Sequence, residues 1–145
     1  MTAAQMWAEY QQDFPDAVEY DAFCFGADAD ELAALVLLGV KTATASAYPL
    51  YEAEGEPLPS VGAYSVVLNS LEEAVCIIRN TKVYVTPFEA VNAHHAYCEG
   101  EGDRSLAYWR KVHEAFFVGE MAECGLEFDE SMPVVCEEFE VVYPK

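Results

Sequence analysis

The groups in this chain that could do chemistry fall in two short stretches. The first, GVKTATAS at residues 39–46, sets Lys41 beside Thr42, Thr44 and Ser46, with only alanines between them. An ammonium group among small hydroxyl residues can grip a phosphate or a base edge while the hydroxyls add hydrogen bonds. The second, HAYCEGEGDR at residues 95–104, offers Glu99, Glu101 and Asp103 in alternation, followed by Arg104. Three alternating carboxylates invite a divalent cation. The run lacks the length and the closing glutamate of an EF-hand loop, so no metal is assigned. Asp103 or Ser105 is expected to cap the helix that follows. His94 and Cys98 stand four apart, as two zinc ligands on a helix would, but the sequence supplies no second pair. No cofactor is expected.

Charge narrows the partner. Seven Lys and Arg face 26 Asp and Glu, for a net charge of −19. Such a surface repels polyanions, so duplex DNA is not an expected partner. The cations are unevenly spread: Arg79, Lys82, Arg104, Arg110 and Lys111 cluster, Lys41 precedes them and Lys145 ends the chain. One locally positive site is therefore possible, suited to a small anionic or nucleotide-like ligand. Arg104, beside the acidic loop, is a better ligand contact than the pair Arg110 and Lys111, which is expected to be exposed. His113 is expected on the surface of the same long helix. Trp109 lies on that helix's apolar stripe, where packing outweighs base stacking.

These residues need elements to hold them. At 145 residues and 53% hydrophobic, the sequence fits a single domain over 1–145 with a core of its own. Its five cysteines lack CxxC spacing and read as reduced thiols. No apolar run is long enough to span a bilayer, the N-terminus has no signal-peptide pattern, and a cytoplasmic location is expected. Residues 2–12 read as a helix, and residues 1–19 as a helical N-terminal extension. A second helix is capped by Asp28 or Asp30, carries Leu32, Leu35 and Val36, and ends near Gly39. TATAS leaves it as an extended segment. YEAEGEPLPSVGAY reads as turns; AYSVVLN and AVCIIRNTKVYV read as strands. A helix is expected after Pro87, a long amphipathic helix after EGEGD, and a final strand at VVCEEFEVVY. Four or five strands interrupted by helices, without βαβ alternation, indicate an α+β fold.

In order and spacing these motifs resemble the ASCH domain family (activating-signal-cointegrator homology). LVLLGVKTATAS resembles its G-x-K-x-x-T element, and HAYCEGEGDRSLAYWRKVH its second signature, above all in the larger bacterial members. A VG-x-Y strand and a V-x-x-x-PF segment stand between them, and the likeness runs from about residue 20 to 143. The resemblance implies a PUA-like fold, a small partly open β-barrel flanked by helices, with a ligand cleft around the lysine element. It implies a nucleoside or RNA-derived ligand. Some small members remove the acyl group of N(4)-acetylcytidine, and on that pattern the catalytic set is Lys41, Thr44 and Glu99. Thr42, Ser46, Glu101, Asp103 and Arg104 are then ligand contacts. The chain differs from the small deacetylases in having Ser46 where they carry an arginine, and in the segment PLYEAEGEPLPS. On an extended segment Lys41 and Thr44 would face opposite sides, so this set needs a turn or helix end within 41–44. The expected function is ligand binding around Lys41 with hydrolysis of an acylated base. The alternatives are a non-catalytic RNA-binding module and, third, a ribonuclease.

Overall fold

The structure, a computed structural model, describes residues 1–144; Lys145 lies outside the described residues. In chain order it contains α1 (Ala3–Asp13), β1 (Asp21–Cys24), α2 (Ala29–Leu37), β2 (Ala43–Ala47), α3 (Tyr48–Glu54), β3 (Tyr64–Leu68) and β4 (Ala74–Pro87). A 3-10 turn (Phe88–Ala90), α4 (Ala93–Glu99), α5 (Leu106–Glu123) and β5 (Pro133–Tyr143) follow. The strands form one sheet in the order β1-β3-β4-β5-β2. β1 runs parallel to β3, while β3 with β4 and β2 with β5 are antiparallel. The α+β class holds, and the sheet order has two ends, as an open barrel requires.

The chain divides into two compact units. The first holds Met1–Thr42, Ser60–Lys82 and the residues from Phe139 on. Thr2 opens α1 with a capping box: its hydroxyl accepts from the Gln5 N–H while the Gln5 side chain accepts from the Thr2 N–H. α1 buries Met6, Trp7 and Tyr10 with Val66 and Ile77 of the strands. α2 buries Ala33 and Val36 with Val67, Cys76, Ile78 and Phe139. Asp28 does stand at the start of α2, but in a left-handed conformation (φ 41°) with no side-chain cap. Asp30 turns its carboxylate to the N–H and hydroxyl of Ser70 instead. At the other end Gly39, at φ 78°, stops the helix as expected.

The second unit holds Ala43–Pro59 and Val83–Glu138. β2 lies along β5 with Thr44 opposite Glu137 and Ser46 opposite Val135. Its core gathers Phe88, Trp109, Phe117 and Met121 with Val134 and Cys136. Two elements differ from the sequence reading. Tyr48–Glu54 is a helix that runs into the segment from Tyr51 on where turns were expected: Pro49 fits a first helical turn, and Gly55 at φ 67° ends it. After Pro87 the chain makes a 3-10 turn before α4 begins. Here the Arg110 guanidinium donates to the carbonyls of Phe88, Glu89 and Val91. Those acceptors are taken, and Asn92 restarts the helix by accepting from the His95 N–H. Arg110, expected to be exposed, is a clamp on this corner. Cys76 and Cys136 are buried, and burial pushes both thiols up to about 12, so they behave as small hydrophobes.

Candidate functional site

Lys41 lies in the first unit, in the turn that leaves α2. The N–H groups of Val40 and Lys41 both reach back to the Leu35 carbonyl, so Lys41 sits on a helix end rather than on an extended strand. Its side chain is only 1% exposed, and its Nζ stands 5.3 Å from the centroid of the Phe25 ring. An aromatic face suits a cation. The Thr42 carbonyl accepts from the Phe139 N–H, which fixes the backbone just after the lysine.

Glu99 lies in the second unit, at the last turn of α4, and is also 1% exposed. Three ring nitrogens face its carboxylate. His95 Nε2 and Trp109 Nε1 both donate to Oε2, the former at 2.8 Å, and His113 Nε2 stands 3.4 Å from Oε1. Helical spacing builds this arrangement: His95 is one turn before Glu99 on α4, and His113 one turn after Trp109 on α5. The His113 and Trp109 rings stack at 4.3 Å, and His113 Nδ1 donates to the Trp109 carbonyl at 2.9 Å. With Nδ1 occupied as a donor, Nε2 can meet a carboxylate only as the second N–H of an imidazolium.

Burial of the His113 ring opposes that charge, but the hydrogen bond and charge of Glu99 outweigh it, aided by the Trp109 carbonyl and Glu101. The net effect raises the His113 pKa above its ordinary 6.5. A raised folded value means this pair stabilises the fold fully below the unfolded pKa of about 6.5 and ceases to as pH climbs through the folded value. The melting temperature is therefore expected to fall as pH rises from about 6 to 9 at constant ionic strength. His113→Gln should flatten that fall; a wild-type profile that is flat or rising would contradict the imidazolium assignment.

The other ring nitrogen of His95, Nδ1, is buried and has no hydrogen-bond partner. Such an atom costs about 1–3 kcal/mol. Glu99, with several N–H groups turned to it, is held in one orientation. That suits a fixed anion better than a proton carrier.

The other expected residues divide plainly. Thr44 and Ser46 share one face of β2, while Ala45 and Ala47 turn to the other, toward the core that also holds Ala96 of α4. The Ser46 hydroxyl lies 2.7 Å from that of Tyr51. Asp103 accepts from the Ser105 N–H, and Ser105 caps α5 by accepting from the Tyr108 N–H. Arg104 donates from Nε to the Tyr97 carbonyl. Glu101 joins Glu99 and His113: one ligand atom from each lies within 4.8 Å of the others. These three could hold a divalent cation, which would have to replace the His113 proton. Trp109 is 2% exposed, as the packing reading expects, but its indole N–H also serves Glu99. His113, expected at the surface, is instead part of the network. The Trp109–His113 spacing was the available signal.

Among the described residues four polar or charged side chains are buried: Lys41, Asn80, His95 and Glu99. Three of the four fall in the two sequence motifs. A family model described as the ASCH domain matches residues 21–143. The crystal structure of an ASCH domain from Lactobacillus crispatus JV V101 is 36% identical, covers 97% of this chain and 93% of its own, and superposes with a TM-score of 0.91. A protein from Enterococcus faecalis V583 is 34% identical over 96% of this chain and 86% of its own, with a TM-score of 0.86. A comparison with curated proteins gave no match. No helix among the described residues is long and apolar enough to cross a membrane.

Proposed function

Because the chain belongs to the ASCH domain family, whose PUA-like fold is often linked to RNA binding, we propose that it binds a nucleoside or RNA-derived ligand. Lys41 and Glu99 are the residues whose loss would matter most. One observation carries this reading. Removing an ammonium or a carboxylate from water costs several kcal/mol unless it is well paired. The chain places three of its four buried polar or charged side chains in the two stretches that resemble the family's motifs. The unpartnered His95 Nδ1 adds a second polar atom without a packing role.

Within this reading, the reaction is hydrolysis of an acylated base such as N(4)-acetylcytidine. The Thr44 hydroxyl attacks the acyl carbon, Lys41 takes the hydroxyl proton, the base amine leaves protonated, and water releases the acyl group as a carboxylate. Glu99 contributes a fixed negative charge. The non-catalytic RNA-binding module is the second reading, and the net charge of −19 weighs against it. Tight binding of an RNA polymer would need a concentrated basic face, and would weaken steeply with salt.

The deciding experiment measures turnover of an N(4)-acylcytidine series and, beside it, binding of a single-stranded RNA at two salt concentrations. Release of cytidine supports the hydrolase. RNA binding with a steep salt slope and no turnover supports the module. Neither turnover nor binding of any nucleoside or RNA removes the proposal.

A further inference from the structure

The alternation of Glu99, Glu101 and Asp103 invites a cation, and the structure rearranges that set. Asp103 turns its carboxylate to the Ser105 N–H. His113 of α5 takes the third place: one ligand atom from each of Glu99, Glu101 and His113 lies within 4.8 Å of the others. All three belong to one compact unit. Gly100, left-handed at φ 72°, ends α4 between the two glutamates.

Two features point to a metal ion rather than to an acidic patch. The first is how the ligands are aimed. His113 Nδ1 donates to the Trp109 carbonyl at 2.9 Å, which fixes the ring and directs Nε2 at the carboxylates. A ring N–H held by a backbone carbonyl is the usual support of a metal-bound histidine, because it leaves the lone pair on the other nitrogen. Glu99 is supported in the same way: His95 and Trp109 both donate to Oε2, and Oε1 faces His113. The second feature is spacing. His113 Nε2 and Glu99 Oε1 stand 3.4 Å apart, long for an N–H···O bond of about 2.7–3.2 Å. Two ligands on a tetrahedral ion with arms of about 2.0–2.1 Å are about 3.4 Å apart.

Charge adds a reason. Two carboxylates this close repel each other when ionised. The His113 proton offsets one negative charge, whereas a dication beside a neutral His113 offsets both. The donor set selects the ion: imidazole suits Zn²⁺ and its neighbours, while Mg²⁺ and Ca²⁺ prefer oxygen alone.

We propose that Glu99, Glu101 and His113 form a binding site for a divalent transition ion of the Zn²⁺ class. Glu99 and His113 supply the preformed pair, and Glu101 adds the third ligand from the loop. Three protein ligands leave a coordination position to solvent or to a small ligand, as in catalytic rather than structural zinc sites. The site goes beyond the nucleoside reading and does not depend on it. In the metal-free protein the His113 proton takes the ion's place.

The test is a calorimetric titration of the full chain, stripped with a chelator, with Zn²⁺ and separately with Mg²⁺. It is repeated on Glu101→Gln, His113→Gln and His94→Ala. Glu101 is half-buried in a loop and glutamine keeps its shape, so that variant is expected to stay folded and decides the matter where His113→Gln does not fold. His94→Ala removes a competing site, the exposed His94–Cys98 pair, 3.6 Å apart on α4. The wild type should bind one Zn²⁺ per chain and no Mg²⁺ at the same concentration. The His113 Nε2 signal should move on adding Zn²⁺ in a histidine-ring nitrogen spectrum. Glu101→Gln and His113→Gln should each weaken Zn²⁺ binding by roughly 10- to 100-fold or more, since loss of a supporting partner alone costs that much. His94→Ala should leave it unchanged. Absence of Zn²⁺ binding, or binding that survives in the folded variants, overturns the site. So does binding lost in His94→Ala with an unmoved His113 signal, which would place the ion on the α4 surface. Mg²⁺ bound as well as Zn²⁺ and indifferent to His113→Gln would reduce the site to a patch of carboxylates and overturn it too.

Discussion

A folded Lys41→Ala protein is expected to lose turnover of N(4)-acylcytidine by roughly 10²- to 10⁴-fold, the range supplied by a positioned acid–base group. The expectation rests on three independent facts. Lys41 occupies the lysine of the family's G-x-K-x-x-T element, its side chain is 1% exposed, and a helix end fixes its backbone. Lys41→Arg separates the two things a lysine can do. Arginine keeps the positive charge but does not give up its proton in a protein. If Lys41 serves as a base, the arginine variant retains nucleoside binding while turnover stays as low as in the alanine variant. If the lysine only grips the ligand, arginine restores a large part of both. The measurement is kcat/KM with nucleoside affinity beside it, on variants shown to be folded by their melting curves. A stable Lys41→Ala protein with wild-type turnover and affinity would eliminate Lys41 from either role.

What could be read in advance follows from how each signal is encoded. α2 was legible because its stripe and its terminal glycine are local, and the lysine's place on a helix end follows from that same glycine. β3, β4 and β5 were legible as β-branched runs between turn residues. α3 was not, because Gly55, Pro57 and Pro59 dominate its neighbourhood and hide a seven-residue helix that lies wholly before them. The single helix expected after Pro87 failed for a long-range reason: the acceptors of Phe88, Glu89 and Val91 are claimed by Arg110, far along the chain. His113 shows the same limit. A polar residue on an amphipathic helix reads as solvent-facing unless a buried charge waits on the element it packs against. Glu99 supplies that charge, and its alternation with Glu101 and Asp103 pointed to a cation rather than to a ring nitrogen. Local pattern therefore revealed the scaffold, while the partners of the buried charges came from tertiary packing.

The largest loss of stability is expected at Glu99. Glu99→Ala removes the acceptor shared by His95 Nε2 and Trp109 Nε1 and the counter-charge of His113, all in the packed interior of one unit. Breaking a buried charge arrangement from one side costs about 3–5 kcal/mol, a drop of roughly 10 °C in melting temperature for a chain of this size. Glu99→Gln should behave differently, and the difference tests the assigned protons. The amide oxygen can still accept from His95 and Trp109, while its NH₂ turns to His113 Nε2. A neutral His113, with Nδ1–H still on the Trp109 carbonyl, presents there the lone pair the amide needs. The glutamine variant is thus expected to lose only about 1 kcal/mol and to lose the fall in melting temperature between about pH 6 and 9, since the carboxylate that raised the histidine's pKa has gone. Equal destabilisation by alanine and glutamine would mean that the negative charge, not the hydrogen-bond geometry, holds α4 to α5. An alanine variant as stable as the wild type would show that the network is not bearing on the fold at all. The third outcome, glutamine tolerated but inactive, would identify Glu99 as an anion that the fold can spare and the chemistry cannot.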